Sequence, residues 1–149
     1  MTKSLVNALI AKSILETLLV GTIAVAVYLN AFPPTFHGWG EAVIEAQTIS
    51  GWAVNDSSPW ERVQVQLFVD EKFIGTQVAN LSRPDVQAAG WSKDQWRGYS
   101  FAVTGLAPGT HEARVYALHS SSNGTRYTSQ ILGDPIRFEV EVSGVWRRR

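Results

Sequence analysis

The chain contains no cysteine in its 149 residues. Neither a disulfide nor a thiolate metal site can contribute to the fold, although export to a bacterial periplasm requires neither. An excess of one charge is also missing: 13 Lys and Arg balance 13 Asp and Glu. A nucleic-acid partner, which calls for a basic face or stripe, is therefore not expected. Arg147, Arg148 and Arg149 form the one basic cluster and read as a solvated tail spanning 144–149. Sequence signatures of chemistry are absent as well. There is no Gly-x-Ser-x-Gly, no phosphate loop and no His-x-x-x-His. His37, His111 and His119 stand apart from one another, and His111 reads as a structural residue bonding the adjacent turn. Asp70 and Glu71 fit a hairpin turn better than a calcium site. Residues 1–36 hold no histidine to ligate a chlorophyll magnesium, which argues against a direct antenna role. The expectation is a protein that is not an enzyme, with no catalytic residue, cofactor or metal.

What the sequence does have is a long apolar run near its start. Ile14–Phe32 carries one charge, Glu16. At about 1.5 Å per residue it makes about 28 Å of helix, close to the roughly 30 Å hydrocarbon core of a bilayer. Pro33 and Pro34 then stop a helix, and Tyr28 and Trp39 flank that end as interfacial aromatics do. A cleaved signal peptide would need a shorter apolar region and small residues at its cut site. Ala24-Val25-Ala26 lies mid-span, a cut after Ala31 puts Leu29 in a poor position, and the preceding region is long. The run is therefore expected to stay as an anchor. Lys3 and Lys12 precede it, and the next basic residue is Arg62. The positive-inside rule then puts the N-terminus in the cytoplasm and the remainder in the periplasm, with a bacterial inner membrane as the location. Leu5, Val6, Leu9, Ile10, Ile14 and Leu18 recur at helical spacing, so residues 1–13 read as an amphipathic lead-in helix continuous with a span at 14–32. Lys12 and Glu16, four apart, can pair. They either snorkel at the headgroups or meet a neighbouring helix.

After a linker at 33–41 the period changes to two. Val63, Val65, Leu67 and Val69 share one face, and Gln64 and Gln66 the other. A turn and a second strand, Phe73–Ala79, complete a hairpin. Ala113, Val115 and Ala117 alternate in the same way, as do Ile136, Phe138, Val140 and Val142. With "AVIEAQTISGWAV" and "YSFAV", about seven short strands are expected over 42–143, a β-sandwich. One segment, "LSRPDVQAAGWSKDQW", does not alternate. It reads as a short helical insertion capped by Ser82, with Pro84 in its first turn and Gly90 as its stop. The fold class is thus mainly β, one transmembrane helix followed by a sandwich.

The Gly-Trp strand, the "VQVQLFVDEKFIG" hairpin, the Arg83–Val86 "RPDV" segment and the "PGTH" turn before "VYA" carry a resemblance. Over about Ile49–Leu132 the chain resembles a bacterial extracellular immunoglobulin-like (fibronectin-like) domain. The resemblance implies that fold and no activity, so no catalytic residue carries over.

Six tryptophans are many for this length. Trp52, mid-strand, is expected in the core. Trp60, Trp91 and Trp96 lie in loop-like segments, where they either pack the insertion on the sheet, stack sugars or anchor a protein interface. Asn55, Asn80 and Asn123 begin Asn-x-Ser/Thr triplets, which such polar loops produce by chance. The functional expectation is a non-catalytic single-span accessory subunit. Its helix and periplasmic domain would dock on a larger integral membrane complex, photosynthetic (reaction-centre or light-harvesting) or respiratory. Partner-binding candidates are Lys12, Glu16, Tyr28, Trp39, Trp60, Trp91 and Trp96. The alternative expectation is a membrane-tethered carbohydrate-binding module, for which Trp60, Trp91 or Trp96 would have to lie side by side and exposed.

Overall fold

A computed structural model describes residues 3–31, 35–121, 124 and 126–148. The chain forms two compact units, Met1–Pro33 and Pro34–Arg149.

The first unit is one helix, α1 (Lys3–Ala31), so the lead-in and the apolar run are continuous. Leucine, alanine and valine dominate it, and no proline interrupts it. Lys3–Tyr28 is long and apolar enough to cross a membrane. Its side chains are exposed throughout, Leu15 at 68% and Val20 at 66%. The hydroxyls of Thr17 and Thr22 donate back to Ser13 O and Leu18 O, each at 2.8 Å, so neither needs a partner outside the helix. Pro33 and Pro34, read as the stop signal, lie outside the described residues.

The second unit is a β-sandwich of two antiparallel sheets. Its strands are β1 (Phe36–Val43), β2 (Thr48–Asn55), β3 (Gln64–Val69), β4 (Lys72–Val78), β5 (Leu81–Ser82), β6 (Trp96–Ala102), β7 (Gly109–Ser121), β8 (Arg126–Ile131), β9 (Ile136–Val140) and β10 (Trp146–Arg148); a short helix, α2 (Pro84–Ala88), follows β5. The four-stranded sheet runs β1-β2-β6-β5. The six-stranded sheet runs β10-β9-β7-β3-β4, with β8 also on β7. The thirteen-residue β7 carries β3 along one side, and β9 and then β8 along the other. Ile49, Val65, Leu67, Tyr99, Val115 and Phe138 are among the residues that close the core between the sheets.

Four boundaries differ from the expectation, each for a local reason. Most of the expected linker, from Phe36 onward, is strand β1: its inward positions are Phe36, Gly38, Gly40 and Ala42, and two glycines hide the alternation. Gly40 and Gly51 face the Tyr99 hydroxyl, and a Cβ at either would come within 2.6 Å of it. "AVIEAQTISGWAV", expected to be strand, is a hairpin bent at Ile44–Gln47, where Gln47 takes a positive φ of 51° and its N–H donates to Ile44 O. The solvated tail is instead β10, pairing with β9. Trp146 is 3% exposed there and stacks on Phe138 at 4.3 Å, while Arg147 and Arg148 pair with Glu141 and Glu41. Among the described residues the strands number ten rather than about seven, because β8, three-residue β10 and two-residue β5 have too little periodicity to register.

Candidate functional site

Parity along β1 and β2 decides which side chains leave the core. Ile49, Gly51 and Ala53 point inward, so Trp52 points outward and is half-buried. This corrects the expectation of a core residue: a mid-strand tryptophan on a two-layer sheet has an outer face available. Trp39 is its direct partner in register and is 45% exposed. Cβ atoms of such pairs lie about 4.5–5.5 Å apart. On the other side of Trp52 stands Gly98 of β6. A Cβ there would lie 2.9 Å from Arg83 Cγ, so the Arg83 stem crosses the gap.

The insertion supplies a third tryptophan. Helix α2 starts after Arg83 with Pro84 in its first turn, and no side chain caps it. Ser82 is the end of β5 rather than the cap. Arg83 instead holds Asp85 through two hydrogen bonds of 2.9 and 2.7 Å, which draw the Asp85 pKa down to about 2. Gly90, at φ 81°, ends the helix as expected. Its N–H donates to Gln87 O and that of Trp91 to Val86 O, the Schellman pattern that satisfies the last carbonyls. Trp91, 49% exposed, is thereby laid against Trp52 (ring centroids 5.9 Å) and His37 (5.2 Å), at interplanar angles of 36° and 35°. His37 Nε2 lies 2.7 Å from Asp56 Oδ2. The outer face of the four-stranded sheet thus carries Trp39, Trp52, Trp91 and His37.

Arg97 fixes this surface from behind. It is fully buried, and its guanidinium donates to Pro59 O, Glu61 O, Ser92 Oγ (2.8 Å) and Asp94 Oδ2 (3.2 Å). Those acceptors flank three tryptophans. Trp60 sits between the Pro59 and Glu61 carbonyls, and Trp91 precedes Ser92. Trp96 N–H donates to Asp94 Oδ1 at 2.8 Å, and Trp96 O accepts from Arg62. The Arg62 hydrogen bond, with the Trp96 N–H and Arg97 behind it, outweighs burial and holds the Asp94 carboxyl below its ordinary value. Sequence reading missed Arg97; the only available signal was a charged residue at an inward position of "WRGYSFAV".

Of the expected partner-binding residues, Trp39 and Trp91 share this face. Trp60 (73% exposed) and Trp96 (45%) are at the surface, but among the described residues neither stacks on another ring. Trp60, Trp91 and Trp96, on which the carbohydrate alternative rests, are thus all exposed, without ring contacts to one another among the described residues. Lys12, Glu16 and Tyr28 lie on α1, where Lys12 Nζ is 3.6 Å from Glu16 Oε1 and Tyr28 is 62% exposed.

His111 does bond its turn: Nε2 lies 2.7 Å from Ala107 O and Nδ1 2.6 Å from Asp70 Oδ2. Burial works to lower its pKa, but Asp70 and the Ala107 carbonyl outweigh it and raise the value. Asp70 is pushed up by burial yet ends below its ordinary value through the Glu112 N–H and His111. Asp70 and Glu71 form the β3–β4 turn, both at positive φ, 49° and 65°. Asn55 is buried, its Oδ1 accepting from Ser57 N, and is not presented for modification; Asn123 lies outside the described residues. Among the described residues no group of three or more His, Asp or Glu could hold a metal ion. No protein-family model, curated protein or solved structure matches this chain.

Proposed function

We propose that the chain is a non-catalytic, single-span accessory subunit of a bacterial membrane complex. The observation that carries this reading is α1: Lys3–Tyr28 offers an apolar surface with none of its side chains buried. Lipid or a partner's helices would cover it, with Lys12 and Glu16 at the cytoplasmic end. The sandwich, read as an immunoglobulin-like domain, stands on the periplasmic side, because Lys3 and Lys12 precede the span and no basic residue follows until Arg62. Trp39, Trp52 and Trp91 support a docking role for that domain, since tryptophans held on a rigid sheet are frequent anchors of protein interfaces. A respiratory or photosynthetic assembly is the class of host this reading favours. Its test is the intact mass of the chain recovered from washed inner membranes. Retention of the residues before position 24 is expected. A mature chain beginning within or just after residues 24–34 would make α1 a signal peptide and overturn the anchor.

A further inference from the structure

The outer face of the six-stranded sheet is built differently from the tryptophan face. Two depressions of about 550 and 490 Å³ lie along it, and Gln66 and Ser129 line both, so they form one groove along β3, β7 and β8. Its floor is aromatic. Phe68 and Tyr116 meet edge to face, with ring centroids 5.6 Å apart at 85°, and Phe73 packs on Phe68 at 5.6 Å. Its rim carries amides and hydroxyls, from Gln64, Gln66, Thr76, Tyr127, Thr128 and Ser129.

Two glutamines stand on this surface. The side chains of Gln47, Gln77, Gln87 and Gln130 all hydrogen-bond within their own domain. Those of Gln64 and Gln66, two residues apart on one face, bond to nothing among the described residues. Each presents two donors and an acceptor over an aromatic floor. At the far end the lining is acidic on balance: it carries Asp70, Glu71 and Glu112 against Arg114, which lies 2.6 Å from Glu112. The groove therefore offers no field to attract a polyanion. An added peptide strand would pair with unpaired backbone at a sheet edge, and this groove lies over paired strands β3 and β7.

We propose that this groove binds a neutral, linear chain of β-linked pyranose rings. The apolar C–H face of one sugar ring would stack on Tyr116, to which Phe68 stands perpendicular, and equatorial hydroxyls along the chain would exchange hydrogen bonds with Gln64, Gln66 and Ser129. Concave aromatic floors with a few convergent polar groups are the general form of small-ligand sites. This site lies on a different sheet from the tryptophan face, so it stands or falls independently of the docking role.

The test is calorimetric titration of the full-length protein, in a detergent without a sugar headgroup, with cellohexaose, xylohexaose and N-acetylchitohexaose. At least one is expected to bind with Kd at or below about 1 mM. Q66A, a surface change, and Y116A should each weaken that binding at least tenfold, while W91A leaves it unchanged. Absence of binding by all three sugars overturns the proposal. So does binding that survives Q66A with less than a threefold loss, or that W91A abolishes.

Discussion

At the residue scale, two side chains do more than their exposure suggests. His111 is a clamp with an acceptor on each ring nitrogen, so its protonated form satisfies both. Its pKa is raised above 6.5, so its contribution is fully present below that pH and fades as pH rises through the raised value. Asp70 is lowered from 3.8, so its share is present above that pH and is lost as pH falls below it. The clamp is therefore strongest between about pH 4 and 6.5. Melting curves of wild type and His111→Gln should differ by about 1 kcal/mol at pH 5.5 and converge by pH 9. A constant difference across that range would show that His111 acts only by packing. Arg97 is the second case. Removing it orphans two backbone carbonyls and leaves Asp94 with one fewer cation. Arg97→Ala should cost about 3 kcal/mol in chemical denaturation and shift the tryptophan emission of the folded protein to the red. Arg97→Lys should recover only part of this, since an ammonium cannot reach acceptors arranged for a planar fork.

At the scale of elements, what could be read in the sequence was what a regular period encodes. The β3–β4 hairpin, β7 and β9 follow a period of 2, α1 was legible as a long apolar run, and the structure has them all. β1 was obscured because two of its inward positions are glycines that make room for Tyr99 and Leu132. β10 was read as a tail because three consecutive arginines outweighed the one inward Trp146. The tryptophan face was half visible: Trp39 and Trp91 could be picked out by type. Trp52 and His37 could not, because whether a strand residue faces core or solvent depends on register. The insertion's position depends on Gly90. Gly90→Ala meets no steric neighbour, but it holds an L-residue at φ 81°. It should cost about 1 kcal/mol and displace Trp91 from Trp52, seen as a change in near-ultraviolet circular dichroism. Unchanged near-ultraviolet ellipticity would mean that the Schellman turn does not place Trp91.

At the scale of the whole molecule, the chain joins a helix that needs apolar surroundings to a sandwich with a tryptophan face. Both are surfaces suited to being covered, and the reading proposed here is that one larger assembly covers them. The most direct measurement is the size of the native particle containing the full-length chain after mild detergent extraction from its own membrane, followed on a native gel. The account predicts migration with a multi-subunit complex, and a shift of the W52A/W91A double variant toward the free chain. Migration of the wild type as a single chain in its micelle would contradict it.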